Sequence, residues 1–129
     1  MILPTTICLT AAAALVNVWL AIRCGKVRQT EKIPVGDGGS DMMIRRMRAQ
    51  ANFGEQVPLT VILVGLVEMA GKGGQWLAPA AALFIAGRIA HAIGMDGKFN
   101  AGRPIGMMTA FLFQLVLIVV GVLAVLGKI

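Results

Sequence analysis

The stretch Arg48-Ala49-Gln50-Ala51-Asn52-Phe53-Gly54-Glu55-Gln56-Val57-Pro58 carries a guanidinium, a carboxamide and a carboxylate into the start of a long apolar run. Arg48, Asn52 and Glu55 are spaced four and then three apart, so a helix stacks them in one polar stripe. Arginine clamps a carboxylate through two parallel N–H donors, and a carboxylate holds an ammonium group, so the stripe is suited to a small, multiply charged molecule. A further guanidinium beside a bound thiol would favour thiolate over thiol, and Arg103 is the leading candidate. Lipid accepts such groups only at a cost of several kcal/mol, unless they face other helices or a wet cavity. Paired-carboxylate chemistry is excluded, because Glu68 lies about 20 Å further along the same helix than Glu55.

Other residues invite weaker readings. Arg88 and His91 are three apart and share a helical face, but a lone histidine among scattered carboxylates offers no metal-ligand set, so no metal is expected. The Gly36-Asp37-Gly38-Gly39 turn lacks the lysine and hydroxyl of a phosphate-binding loop. Cys8 and Cys24 form no CxxC pair, and neither is expected to be catalytic or disulfide-bonded. Asn17, inside an apolar run, reads as a hydrogen-bonding group between helices. Arg23 either snorkels to the interface or joins the Arg48 site. Glu68 reads as an interfacial or intersubunit group.

The elements that must hold these groups are membrane helices. Of 129 residues, 57% are hydrophobic and 14% are charged, well below the roughly 25% charged residues of an ordinary soluble domain. The spacing predicts an all-α integral membrane protein, a single domain over 1–129 with four transmembrane helices over 5–22, 49–70, 76–93 and 105–126. Asp41 is placed to cap a helix starting near Met42, and Pro58 to kink it. Small residues in the third span, Ala78, Ala80, Ala81, Ala82, Ala86 and Gly87, suggest close helix packing. Seven of the 12 basic residues lie between Arg23 and Arg48. That placement fits membrane orientation rather than nucleic-acid binding, so no nucleic acid is expected as a partner. Counting lysines and arginines puts the first and third connections in the cytoplasm and both termini on the other side. Arg23, Arg48, Asn52, Glu55, Arg88, His91 and Arg103 then gather at one leaflet.

The pattern Arg48-x-x-x-Asn52-x-x-Glu55-x-x-Pro58 resembles the signature of the MAPEG family, the membrane-associated proteins in eicosanoid and glutathione metabolism. The chain length, the four apolar segments and the segment Ala86-Gly-Arg88-Ile-Ala-His91-Ala-Ile-Gly94 are similar too. The resemblance implies four-helix subunits assembled as homotrimers, with glutathione as co-substrate bound between subunits near the cytoplasmic side. It implies that Arg48, Asn52 and Glu55 hold glutathione, that Arg88 helps bind its carboxylates with His91 beside it, and that Arg103 is the thiolate-stabilising, catalytic arginine. The second substrate would be a lipophilic electrophile arriving from membrane lipid, and the setting a bacterial inner membrane. Eicosanoid-forming members carry tyrosine directly after the motif glutamate, where this chain has Gln56, and the chain contains no tyrosine at all. The expectation is therefore a glutathione-dependent transferase or peroxidase, set against a catalytically silent binding or assembly protein that uses the stripe for packing or for anionic lipid. A small transporter is a third reading, weakened by the lack of an internal repeat.

Overall fold

A computed structural model describes all residues, Met1–Ile129, as four helices: α1 Pro4–Glu31, α2 Asp41–Met69, α3 Leu77–Met95 and α4 Gly102–Val125. The all-helical expectation holds, but the helices outrun the apolar segments. α1 continues nine residues beyond Ile22, through Cys24 to Glu31, because its polar continuation contains no proline and tolerates the single Gly25, ending where Lys32 turns left-handed (φ 56°, ψ 50°). α2 starts at Asp41, with Ser40 rather than Asp41 as its cap; the Ser40 hydroxyl accepts from the Met43 N–H at 3.2 Å. It runs through Pro58 as one helix. α3 ends two residues later than expected, and α4 begins a turn earlier, at Gly102, which keeps Arg103 and Pro104 in its first turn.

Three of the four helices, α1, α3 and α4, are long and apolar enough to cross a membrane. α2 falls outside that group, and the physical reason is the polar content that Arg48, Asn52, Glu55 and Gln56 bring into its first half. Only 29 of 129 residues are buried, while large apolar side chains such as Leu15 (73% exposed) and Leu83 (66%) point outward. A surface of this kind matches a lipid solvent, which asks for no polar exterior.

The core runs along the bundle axis through Leu9, Val16, Val64, Phe84, Ala110 and Leu117. α3 and α4 pack most closely of all, and glycine makes this possible. A Cβ on Gly87 would sit 2.1 Å from the Thr109 hydroxyl, one on Gly106 would lie 2.6 Å from the Gly87 carbonyl oxygen, and one on Gly102 would lie 2.0 Å from that of Ala90. Among the small residues expected to pack, Ala78, Ala82 and Ala86 instead face outward, and the tight seam lies between Gly87 and the glycines of α4.

Polar groups tie the ends together. Glu68, read from sequence as interfacial or intersubunit, caps α1: its carboxylate accepts from the backbone N–H groups of Thr5 and Thr6, each at 2.9 Å, and from the Thr6 hydroxyl at 2.7 Å. A carboxylate there satisfies orphan donors and complements the positive end of the helix dipole. At the opposite end, Arg23 makes an ion pair with Asp96 at the C-terminus of α3, and the Arg46 Nε lies 3.5 Å from the same carboxylate. Arg46 also donates to the Arg23 carbonyl at 2.9 Å, and the Arg23 guanidinium stacks 4.7 Å from the Trp19 ring centroid. Arg23 therefore neither snorkels nor joins Arg48. Two arginines offset the unfavourable placement of Asp96 at a negative helix end.

Candidate functional site

The motif stripe of α2 is split by its own helical geometry. Arg48 and Glu55, seven residues apart, lie within about 20° of each other around the axis, whereas Asn52 is rotated toward the neighbouring helices. Arg48 and Glu55 are exposed and Asn52 is partly buried. Asn52 meets α3 and α4: its Oδ1 accepts from Arg88 Nη1 at 2.5 Å, and its amide nitrogen lies 3.5 Å from the Met107 sulfur.

Beside this contact is a cavity of about 540 Å³, lined by Arg48 and Asn52 of α2, His91 and Met95 of α3, Asn100 of the connection, and Arg103, Pro104 and Met107 of α4. That volume is within the range of small-molecule sites. Its wall holds two guanidiniums, an imidazole and two carboxamides, with no carboxylate among them. Arg48 and Arg103 make no ion pair within the chain. Such a wall favours an anion with several acceptor oxygens or a sulfur anion.

Four of the six residues singled out from sequence, Arg48, Asn52, His91 and Arg103, come together here. Arg88 stands behind them. It is 2% exposed, its Nη2 donates to the Gly106 carbonyl at 2.5 Å, and its guanidinium lies 5.9 Å from the Phe84 centroid. Its hydrogen bonds hold Asn52 and α4 in place, and its long side chain is spent inside the bundle. Glu55 lies outside the cavity on the exposed face, without an ion pair. The expected gathering of seven polar groups at one leaflet is thus divided, with Arg23 drawn into the separate cluster around Asp96.

Sequence reasoning overlooked Asn100 and Met107 as lining residues. Met107 is four residues after Arg103, and this spacing puts it on the same face of α4 one turn further in. Asn100 had no periodic signal, since it sits in the turn before α4.

Comparison with curated proteins gives no match. A family model described as the MAPEG family matches residues 6–123, which takes in all the lining residues and nearly the whole four-helix bundle. On that match, and with Arg48 and Asn52 of the motif lining the cavity, this helical membrane protein belongs to the MAPEG family.

Proposed function

We propose that the chain is a glutathione-dependent membrane transferase or peroxidase, working as a homotrimer on small apolar electrophiles or lipid hydroperoxides. The observation that carries this reading is the carboxylate-free, doubly cationic cavity walled by Arg48, Asn52, His91 and Arg103. Glutathione has two carboxylates, an ammonium and a thiol, and the donors present fit it. Arg48 takes a carboxylate bidentately, with Asn52, His91 and Asn100 completing the polar contacts. Glu55, one helical turn beyond Asn52 and on the face open to a neighbouring copy, takes the ammonium. Arg88 acts from behind by fixing Asn52.

Arg103 stabilises the thiolate electrostatically, and the thiol proton leaves to solvent. In transfer, the sulfur attacks an electrophilic carbon and the leaving group departs with its electron pair. In peroxidase action, the sulfur attacks a hydroperoxide oxygen, the O–O bond breaks, and the alkoxide released takes up a proton. Met95, Met107 and Pro104 give one side of the cavity an apolar surface on which a lipophilic partner can rest. The basic residues favour an orientation with the cavity on the cytoplasmic side and both termini opposite, and the bacterial inner membrane is the setting taken from the family resemblance.

A second reading rests on Arg88, whose bonds to Asn52 and Gly106 are satisfied within the chain. On this reading the motif is retained for packing, and the protein is a silent assembly or lipid-binding module. Calorimetric binding of glutathione to the detergent-purified protein separates the two. Micromolar to low-millimolar affinity, reduced about tenfold or more by Arg48→Ala in a fold of unchanged stability, supports the enzyme reading. Absence of binding to a well-folded protein overturns it.

A further inference from the structure

Asn17 poses a problem that the single chain leaves unsolved. It lies within the apolar part of α1, is exposed, and has no hydrogen-bond partner. A carboxamide in hydrocarbon is costly unless a protein group meets it. Asn17 is eleven residues after Thr6 and seven before Cys24, close to whole numbers of helical turns in both directions, so all three share one stripe of α1. That stripe faces α2: Thr6 bonds Glu68 at 2.7 Å, and the Cys24 sulfur lies 3.4 Å from the Gln50 side-chain oxygen.

These two contacts also set the antiparallel register of the helix pair. Interpolating between them puts Asn17 level with Val57, within about 3 Å along the axis of Glu55. At that level the α1–α2 junction is open. A Cβ built on Gly54 meets nothing within 4 Å, and Pro58 has no N–H to give the Gly54 carbonyl. The result is a shallow notch at the depth of Asn17, bordered by a Gly54 carbonyl that lacks its helical N–H donor. Glu55 is about 100° further round α2 than Gly54, on the flank that continues to Arg48 and the cavity, and it too is exposed without a partner.

We propose that the notch of one copy receives Glu55 of the next, with Asn17 donating its amide N–H to the Glu55 carboxylate across the interface. The inference rests on the assembly put forward under Proposed function and deepens it by naming a residue that the neighbouring copy contributes. Copies inserted in the same orientation hold Asn17 and Glu55 at one membrane depth, so a rotation about the membrane normal brings one to the other. Donor and acceptor lie on different flanks, which makes the contact head-to-tail, and repetition closes a ring. Glu55 then keeps one oxygen for the ammonium of the bound peptide, while Asn17 fixes the orientation of the other. Asn17 is on this account a positioning residue.

The test is disulfide trapping of the full-length protein in membranes, in a background with Cys8→Ser and Cys24→Ala. Two differently tagged copies, one with Asn17→Cys and one with Glu55→Cys, are co-expressed and mildly oxidised. The expected product carries both tags, and neither variant links to itself. An oligomer that forms no mixed link, or in which Asn17→Cys copies link to each other, overturns the inference while leaving the glutathione reading to its own binding test. A monomer by native mass measurement overturns the assembly itself.

Asn17→Asp, which sets two carboxylates face to face, guards against a folding artefact. It is expected to weaken self-association at least tenfold, and Asn17→Asp with Glu55→Asn to restore it. Assembly unaffected by Asn17→Asp overturns the pairing.

Discussion

Two buried arginines in this bundle have opposite surroundings. Arg23 packs against Asp96 and shares that carboxylate with Arg46, in a closed cluster roofed by Trp19. Arg88 has no carboxylate; it bonds a carboxamide and a backbone carbonyl, and stands behind a cavity whose other guanidiniums, on Arg48 and Arg103, are likewise free of acid partners. Charge neutralised within the chain serves the fold, Arg88 is spent on Asn52 and α4, and the unpaired guanidiniums that line the cavity, Arg48 and Arg103, are available to an external anion. The comparison identifies which end-of-bundle arginines are structural without appeal to their positions in a motif.

The strongest way to break that contrast is Asp96→Ala. It leaves two largely buried guanidiniums without an acid, and loss of one partner of a buried pair costs about 3–5 kcal/mol. Thermal unfolding in detergent should show a correspondingly large destabilisation, and an unchanged midpoint would mean that the cluster contributes little to the fold. Arg88→Ala removes two charge-assisted hydrogen bonds, each contributing about 1.5–3 kcal/mol. Its expected signature is double: reduced thermal stability and weaker glutathione binding, because Asn52 loses its anchor. Destabilisation with full affinity would confine Arg88 to a structural role.

Arg103→Ala sharpens the other side of the comparison. The residue is exposed and forms no ion pair, so stability should stay within about 0.5 kcal/mol. The ultraviolet absorbance of bound thiolate should need a pH about one higher for half-ionisation, equivalent to about 1.4 kcal/mol. The sign follows from charge: a removed cation no longer favours the anion. An unshifted titration would transfer the role to Arg48. Glu68→Ala is expected to have the smallest effect, about 1 kcal/mol of stability from the lost cap on α1, with glutathione affinity unaltered because the residue is at the far end of the bundle. A change in affinity would show that the two ends are coupled.

The legible part of the site was the part written in local spacing. Arg48 and Asn52 are one helical turn apart, Arg88 and His91 three residues apart, and Arg103 opens the last apolar run, so their presence near one end of a bundle could be argued from period alone. The role of Arg88 could not. Whether a guanidinium on α3 reaches into a cavity or across to Asn52 depends on how close α4 approaches, and that is decided by Gly87 meeting Gly106. Glu55 shows the reverse case: a stripe drawn on an isolated helix treats three residues as equivalent, but packing of α3 and α4 covers Asn52 and leaves Glu55 outside. The C-terminal end of α1 was missed because hydropathy marks where lipid ends, while helix continuation depends on backbone bonding and on breakers; the start of α2, marked by polar capping residues, was legible to within one residue.

Composition and periodicity alone determined that this is a helical membrane protein with a polar, arginine-rich end, because those properties reside in residue types and their nearest helical neighbours. Tertiary structure alone decided which arginines are neutralised, which line the cavity, and that Glu68 caps α1, because each of those partners lies on a different helix and meets only when the bundle closes.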